Sequence, residues 1–201
     1  MPKAVIIDYG VGNLYNLKHA LSEVGFSPSI GLSKALLKQA DVVILPGVGN
    51  FSAAIKRLTI VKEYLTDLAR NGAPFFGICL GMQLLFRKSE EGNGEGLALL
   101  EGGNIRLPCS VKVPHMGWNT VTIVKPTVLF ESLEDPFYCY FAHSYYPIPD
   151  DRNVICAETT YGVKFASVVA KNNILGTQFH PEKSGDVGLR FLENFSNFIK
   201  R

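Results

Sequence analysis

The run Gly77-Ile78-Cys79-Leu80-Gly81 places a cysteine between two glycines, after a short apolar stretch and before a helical pattern. That is the spacing of a nucleophile on a sharp strand-to-helix turn, with a thiol where hydrolases often carry serine. Both glycines have a physical reason. The turn forces its central residue into a strained backbone state and leaves no room for flanking side chains. The sulfur then emerges at a helix N-terminus, where the macrodipole favours thiolate. A cysteine without this context is usually a small buried apolar residue.

A thiol nucleophile works best with a base that a third group holds in place. Phe179-His180-Pro181-Glu182 closes the apolar run 174–179. Groups at the carboxyl ends of strands in an open α/β sheet share one crevice, so His180 can meet Cys79. Glu182 can then reach back and fix the imidazole tautomer. Pro46-Gly47-Val48-Gly49 follows another strand end and offers backbone N–H groups that no side chain obstructs. Val48, Gly49 and the amide of Leu80 are therefore the candidate oxyanion hole of an acyl-transfer site. The glycines around Val48 also suggest a peptide that can present either its carbonyl or its N–H to that position.

These groups need a sheet to bring them together. Three apolar runs, 4–7, 42–45 and 75–78, alternate with helical patterns in the N-terminal half. Asn13 can cap a helix with Leu14, Leu17, Leu21 and Val24 on one face. Ile55, Leu58, Tyr64, Leu65 and Leu68 fit another, and Met82, Leu84, Leu85 and Phe86 follow the cysteine. Apolar strands with helical crossovers predict a parallel sheet covered on both faces. Beyond about residue 97, shorter strand-like pieces take over at 111–113, 121–124, 138–142, 154–157, 166–170 and 174–179. A final helix carries Leu189, Leu192, Phe195 and Phe198. Residues 87–96 read as a loop. The expectation is a single α/β domain over 1–201, with an open, mostly parallel central sheet and helices on both faces.

Composition removes several function classes. Twenty Lys+Arg against 18 Asp+Glu give a net charge of +2, no footprint for nucleic acid. No apolar run approaches the ~20 residues that span a bilayer, and the opening apolar stretch is too short for a signal-peptide core. Four scattered cysteines form no disulfide framework, which points to a reducing cytoplasm. Gly10-Val11-Gly12 hints at a dinucleotide fingerprint, but Tyr15 stands where the third glycine belongs, so no cofactor is expected. A flavodoxin-like cofactor binder using this loop is the reading it would otherwise support.

The chain resembles the class I glutamine amidotransferases, which carry a Cys-His-Glu triad. The resemblance rests on Ile78-Cys79-Leu80-Gly81-Met82-Gln83 and on Gln178-Phe179-His180-Pro181-Glu182-Lys183-Ser184. Within the family it is similar to the glutaminase subunits of histidine biosynthesis. That narrowing rests on Pro114-His115-Met116-Gly117-Trp118-Asn119, Phe141-Ala142-His143-Ser144-Tyr145, Asp8-Tyr9-Gly10-Val11-Gly12-Asn13 and Pro46-Gly47-Val48-Gly49. The resemblance implies a flavodoxin-like fold in which Cys79 attacks the side-chain amide of L-glutamine. His180 gives a proton to the leaving ammonia and later activates water, while Glu182 orients His180.

By the same resemblance, Gly47, Gln83, Glu91, His143, Ser144 and Tyr145 line the glutamine pocket, with Glu91 on the α-ammonium. A solvated loop charge is the other role open to Glu91. A (β/α)₈ cyclase subunit is the implied partner in a heterodimer; it uses the ammonia to make imidazole glycerol phosphate and aminoimidazole carboxamide ribotide. Asn13, Met116, Trp118, Tyr140 and Lys183 fall at the implied docking face. Core packing remains open to Trp118, and a plain strand face to Tyr138, Tyr140 and Tyr145. Two rivals remain: a glutaminase for anthranilate or guanylate (GMP) synthesis, and a non-catalytic scaffold that only regulates the cyclase.

Overall fold

Strands β1 (Lys3–Ile7), β3 (Val42–Leu45) and β4 (Phe75–Ile78) are almost continuously apolar, so each needs cover on both faces. The computed structural model describes residues 1–10, 14–47 and 49–200 and shows how that cover is supplied. Ala4, Ile6, Val42, Ile44, Phe76 and Ile78 pack into one layer with Leu17, Leu21, Phe191 and Phe195. Their alternate neighbours Val5, Ile7, Val43, Leu45 and Phe75 pack into a second layer with Phe51, Leu58, Leu65 and Met82. Helices α1 (Tyr15–Glu23) and α6 (Gly185–Ile199) therefore cover one face. Helices α3 (Phe51–Leu58), α4 (Lys62–Arg70) and α5 (Leu80–Leu84) cover the other, and a short α2 (Lys34–Leu37) precedes β3.

The large sheet has the order β2-β1-β3-β4-β12-β11-β10-β7-β8. Its central block of β2 (Ser27–Gly31), β1, β3, β4 and β12 (Ile174–Thr177) is parallel. Strands β11 (Val163–Lys171), β10 (Ile155–Tyr161), β7 (His115–Ile123) and β8 (Phe137–His143) extend it in antiparallel fashion. A smaller sheet joins β5 (Phe86–Ser89), β6 (Leu100–Arg106) and β9 (Tyr145–Pro149). The pairing that matters for chemistry is β4 with β12, in which Ile78 stands opposite Thr177. Residues that follow these two positions leave the sheet at the same end. Among the described residues, no helix is long and apolar enough to cross a membrane.

Several local expectations change. The helix expected across 55–68 breaks between α3 and α4, where Thr59-Ile60-Val61 sets three β-branched residues in a row. Residues 87–96 begin in strand β5, whose exposed Arg87 and Lys88 disguise it as loop. Residues 111–113 form no strand and lead to β7 instead. Leu14 takes the cap position of α1 without a side-chain bond, and Asn13 lies outside the described residues.

Candidate active site

Cys79 sits where β4 becomes α5, with φ 48° and ψ −105°, a left-handed backbone state that a residue with a Cβ rarely adopts. Its neighbours hold it there. The Cys79 N–H donates to Thr177 O at 2.7 Å, and its carbonyl accepts from Gln83 N–H at 3.1 Å in the first turn of α5. A Cβ on Gly77 would lie 2.5 Å from the Gly81 backbone, and one on Gly81 would collide with the Leu45 carbonyl. Strand, turn and helix cross too closely for any side chain at either position.

His180 follows β12 directly and is buried. Its Nδ1–H donates to Glu182 Oε1 at 2.8 Å, which leaves Nε2 for the sulfur. Burial alone would pull its pKa down. The charge of the Cys79 sulfur, a hydrogen bond to it and the Glu182 carboxylate outweigh that pull and raise it to about 10. A Cβ on Gly47 would lie 2.7 Å from His180 Cε1 and 2.9 Å from Cys79 Cβ, so the glycine loop closes over both groups. The three triad candidates thus meet in one place.

A cavity of about 160 Å³ opens beside the sulfur, lined by Gly47, Gly49, Cys79, Leu80, Gln83, Glu91, Pro114, Ala142, His143, Ser144 and Tyr145. Every candidate pocket residue is on its wall. Gly49, at φ 111°, and Leu80, at the start of α5, border it; Val48, the third oxyanion candidate, lies outside the described residues. Glu91 is not a plain solvated charge, because its Oε2 accepts from the Phe51 N–H at 2.8 Å at the start of α3. The carbonyls of Ser144 and Tyr145 are committed inside the protein. Ser144 O accepts from Leu107 N–H at 2.9 Å, and Tyr145 O accepts from Gln83 Nε2 at 2.7 Å.

A model of the family described as glutamine amidotransferase class-I matches residues 5–198. The chain belongs to the class I glutamine amidotransferases. Among its relatives, the imidazole glycerol phosphate synthase subunit HisH of Archaeoglobus fulgidus is 46% identical, over 98% of both chains. The subunit of the same name from Sulfolobus acidocaldarius is 45% identical, over 99% of this chain and 100% of its own. In fold, the chain is similar to the structure of PurLQS from Thermotoga maritima, with a TM-score of 0.78 at 22% identity and 98% coverage of both chains.

In this amidotransferase the β7–β8 ribbon runs past the cavity with two unlike faces. Met116, Trp118 and Tyr138 are exposed, and Trp118 packs edge-on to its cross-strand partner Tyr140 at 6.3 Å. Lys183 Nζ lies over the Tyr140 ring at 5.9 Å, which unites four of the five docking candidates in one patch. Trp118 is therefore not core. Behind the patch, the Tyr140 carbonyl accepts from the His180 N–H at 2.9 Å, so the aromatic face backs onto the triad candidate His180.

The inward face carries residues that sequence reasoning left aside. His115 Nδ1 lies 3.0 Å from His143 Nε2, and His143 Nδ1 lies 2.9 Å from Tyr145 O. A carbonyl only accepts, so His143 donates from Nδ1 and receives the His115 proton at Nε2. Asn119 Nδ2 completes the chain at His115 Nε2, 3.3 Å away. Burial keeps both rings neutral, lowering His115 to about 4 and His143 to about 3. Gln178, between β12 and His180, is fully buried as well. The strict alternation of His115, Gly117 and Asn119 with Met116 and Trp118 was the available signal.

Proposed function

We propose that this chain is the glutaminase subunit of an imidazole glycerol phosphate synthase, releasing ammonia from L-glutamine for a cyclase subunit in a cytoplasmic heterodimer. The observation that carries the reading is the buried His180, tied to Glu182 at 2.8 Å and bonded to the Cys79 sulfur on the wall of the glutamine-sized cavity. Likeness over nearly the whole chain to subunits of that synthase supports the choice among amidotransferases.

The chemistry follows from the geometry. The Cys79 thiolate attacks the carboxamide carbon, a C–S bond forms, and the carbonyl π pair moves onto oxygen. The N–H groups of Leu80 and Gly49 are the donors available to that oxyanion. Collapse breaks the C–N bond as His180 Nε2 passes its proton to the departing nitrogen, leaving a glutamyl thioester and ammonia. His180, now neutral, takes a proton from water, and the resulting hydroxide cleaves the thioester to glutamate and thiolate. Glu182 keeps the imidazole turned towards the sulfur throughout. Gln83, Glu91, His143, Ser144 and Tyr145 hold the amino-acid end, with Glu91 facing the α-ammonium.

Ammonia set free in water at neutral pH becomes ammonium, which is no nucleophile, so release has to be covered by the partner. Met116, Trp118, Tyr138, Tyr140 and Lys183 offer the aromatic surface for that docking; Asn13 belongs to the same assignment. The test is glutamate formation from L-glutamine by the chain alone and with a cyclase subunit holding its ligand. Turnover stimulated by the liganded cyclase is expected, and absence of hydrolysis in both arms would sink the reading. Stimulation by an anthranilate or guanylate synthase partner instead would move it to another pathway.

A further inference from the structure

The amide of Gln178 takes no part in the triad, yet its Nε2 lies 3.4 Å from the Cys79 sulfur. Which end of a buried amide faces a neighbour follows from the groups around it, starting from one that cannot turn over. The Tyr145 carbonyl only accepts, and Gln83 Nε2 lies 2.7 Å from it, which makes that atom the NH₂. The same NH₂ reaches Gln178 Oε1 at 3.2 Å. With its oxygen committed to accepting from Gln83, Gln178 turns its own NH₂ to the sulfur. The reverse orientation would set two NH₂ groups against each other and an oxygen against sulfur. Gln178 is fully buried, and its backbone N–H is tied to Ser167 O at 2.9 Å, so this amide is fixed and shielded from water.

We propose that Gln178 is a catalytic residue, whose Nε2–H donates to the Cys79 sulfur and stabilises it as thiolate at both ends of the reaction. The inference rests on Cys79 being the nucleophile. A neutral donor supports an anion more strongly than a thiol or a thioester, because bonds to charged acceptors are the stronger ones. The His180 proton leaves with ammonia, so His180 is neutral while the thioester persists and carries a proton again only once it has activated water. Gln178 has no proton to lose. When the C–S bond breaks and its electron pair returns to sulfur, the Nε2–H, in place through both halves of the cycle, supports the thiolate beside the re-protonated His180. Sulfur thereby becomes a better leaving group in the hydrolytic half of the cycle.

The test reads the sulfur without substrate or partner: alkylation of Cys79 by iodoacetamide across pH, followed by mass spectrometry on the full chain. Other titratable groups facing the sulfur are His180 with Glu182 behind it, His143 on β8 and Glu91 across the cavity; all stay unchanged. In Gln178→Met, of similar length but without a donor, alkylation at neutral pH should fall roughly tenfold and its profile should move to higher pH. Gln178→Glu keeps an oxygen for Gln83 but turns another on the sulfur, and should move the profile further. A folded variant with the wild-type profile overturns the proposal. The unaltered protein gives a second readout, independent of how the variants fold. In ¹⁵N-labelled chain the Gln178 side-chain NH₂ signals should shift with the alkylation midpoint, while those of remote Asn194 stay still. An unmoved Gln178 signal also overturns it. Failure of glutamine hydrolysis with the cyclase present would instead remove the nucleophile assignment, and that result is read in a separate assay.

Discussion

On the β7–β8 ribbon, Met116 and Trp118 are 65% and 57% exposed, whereas His115 beside them is 3% exposed. Most sheet faces do the opposite, turning apolar residues in and polar ones out. Val121, Phe137, Cys139 and Phe141 still turn inward in the ordinary way, so the inversion is confined to the stretch from His115 to Asn119. Apolar residues turned outward form the face proposed above for docking, while His115 and Asn119, turned inward, join a network that reaches His143 on the cavity wall. One alternating strand thus carries the proposed docking surface and the support of the cavity wall within a single residue spacing. The ribbon backbone also reaches the sulfur, with the Ala142 carbonyl oxygen 3.6 Å from it.

If the two faces are separable, damage to one should spare the other. The largest effect comes from removing the sulfur itself. Cys79→Ala should lower glutamine-dependent synthesis about 10³-fold or more, while the assembled complex still uses added ammonium salt. Loss of both activities would make the cysteine structural. On the outward side, Trp118→Ala should weaken association with the cyclase by about 2 kcal/mol and leave the melting temperature nearly unchanged. A titration of the two subunits, paired with a thermal melt, checks both halves; a lower melting temperature would mean that Trp118 serves the fold.

His115→Leu should do the reverse. It leaves His143 Nε2 without its donor and loses the stack on Tyr161, whose ring centroid lies 3.9 Å away. We expect about 1–2 kcal/mol less stability in urea unfolding, with cyclase affinity unaltered.

The smallest effect is in pH. Burial holds His115 and His143 near 4 and 3, below the ordinary 6.5, so the unfolded chain binds protons first on acidification. Their contribution is complete above about 6.5 and is lost as pH falls through 4 and then 3. His180, raised to about 10 against the pull of burial, contributes fully below 6.5 and loses that contribution as pH rises through 10. Urea midpoints measured on both sides of neutrality should decline in both directions. Gln178→Met or His115→Leu at the acid limb sharpens the assignment, since only the second should flatten it.

The candidate catalytic groups are legible because local rules demand unusual residues there. Gly77, Cys79 and Gly81 are read from one turn, and His180 from the end of an apolar run. What stayed hidden depended on contacts far along the chain. Strand β5 has exposed Arg87 and Lys88 and is a strand only because it pairs with β6, itself edged by β9. The break between α3 and α4 carries no glycine or proline, and its local signal, the β-branched run Thr59-Ile60-Val61, is weaker than either. His115 and Gln178 look ordinary in sequence; their roles come from a hydrogen-bonded path through His143, Tyr145 and Gln83 that the fold assembles.

Adjacent strands β4 and β12 supply Cys79 and His180, with Ile78 opposite Thr177. The intervening chain therefore departs from and returns to a single rung of the ladder. Everything it builds, from the small sheet to the aromatic ribbon, is an excursion whose two ends are pinned side by side. Such an arrangement lets the parts of the excursion away from the cavity vary while the thiol and its imidazole keep their separation and Gln83, Glu91 and His143 keep the cavity wall. Diversification of this scaffold is then a matter of re-tailoring one long detour.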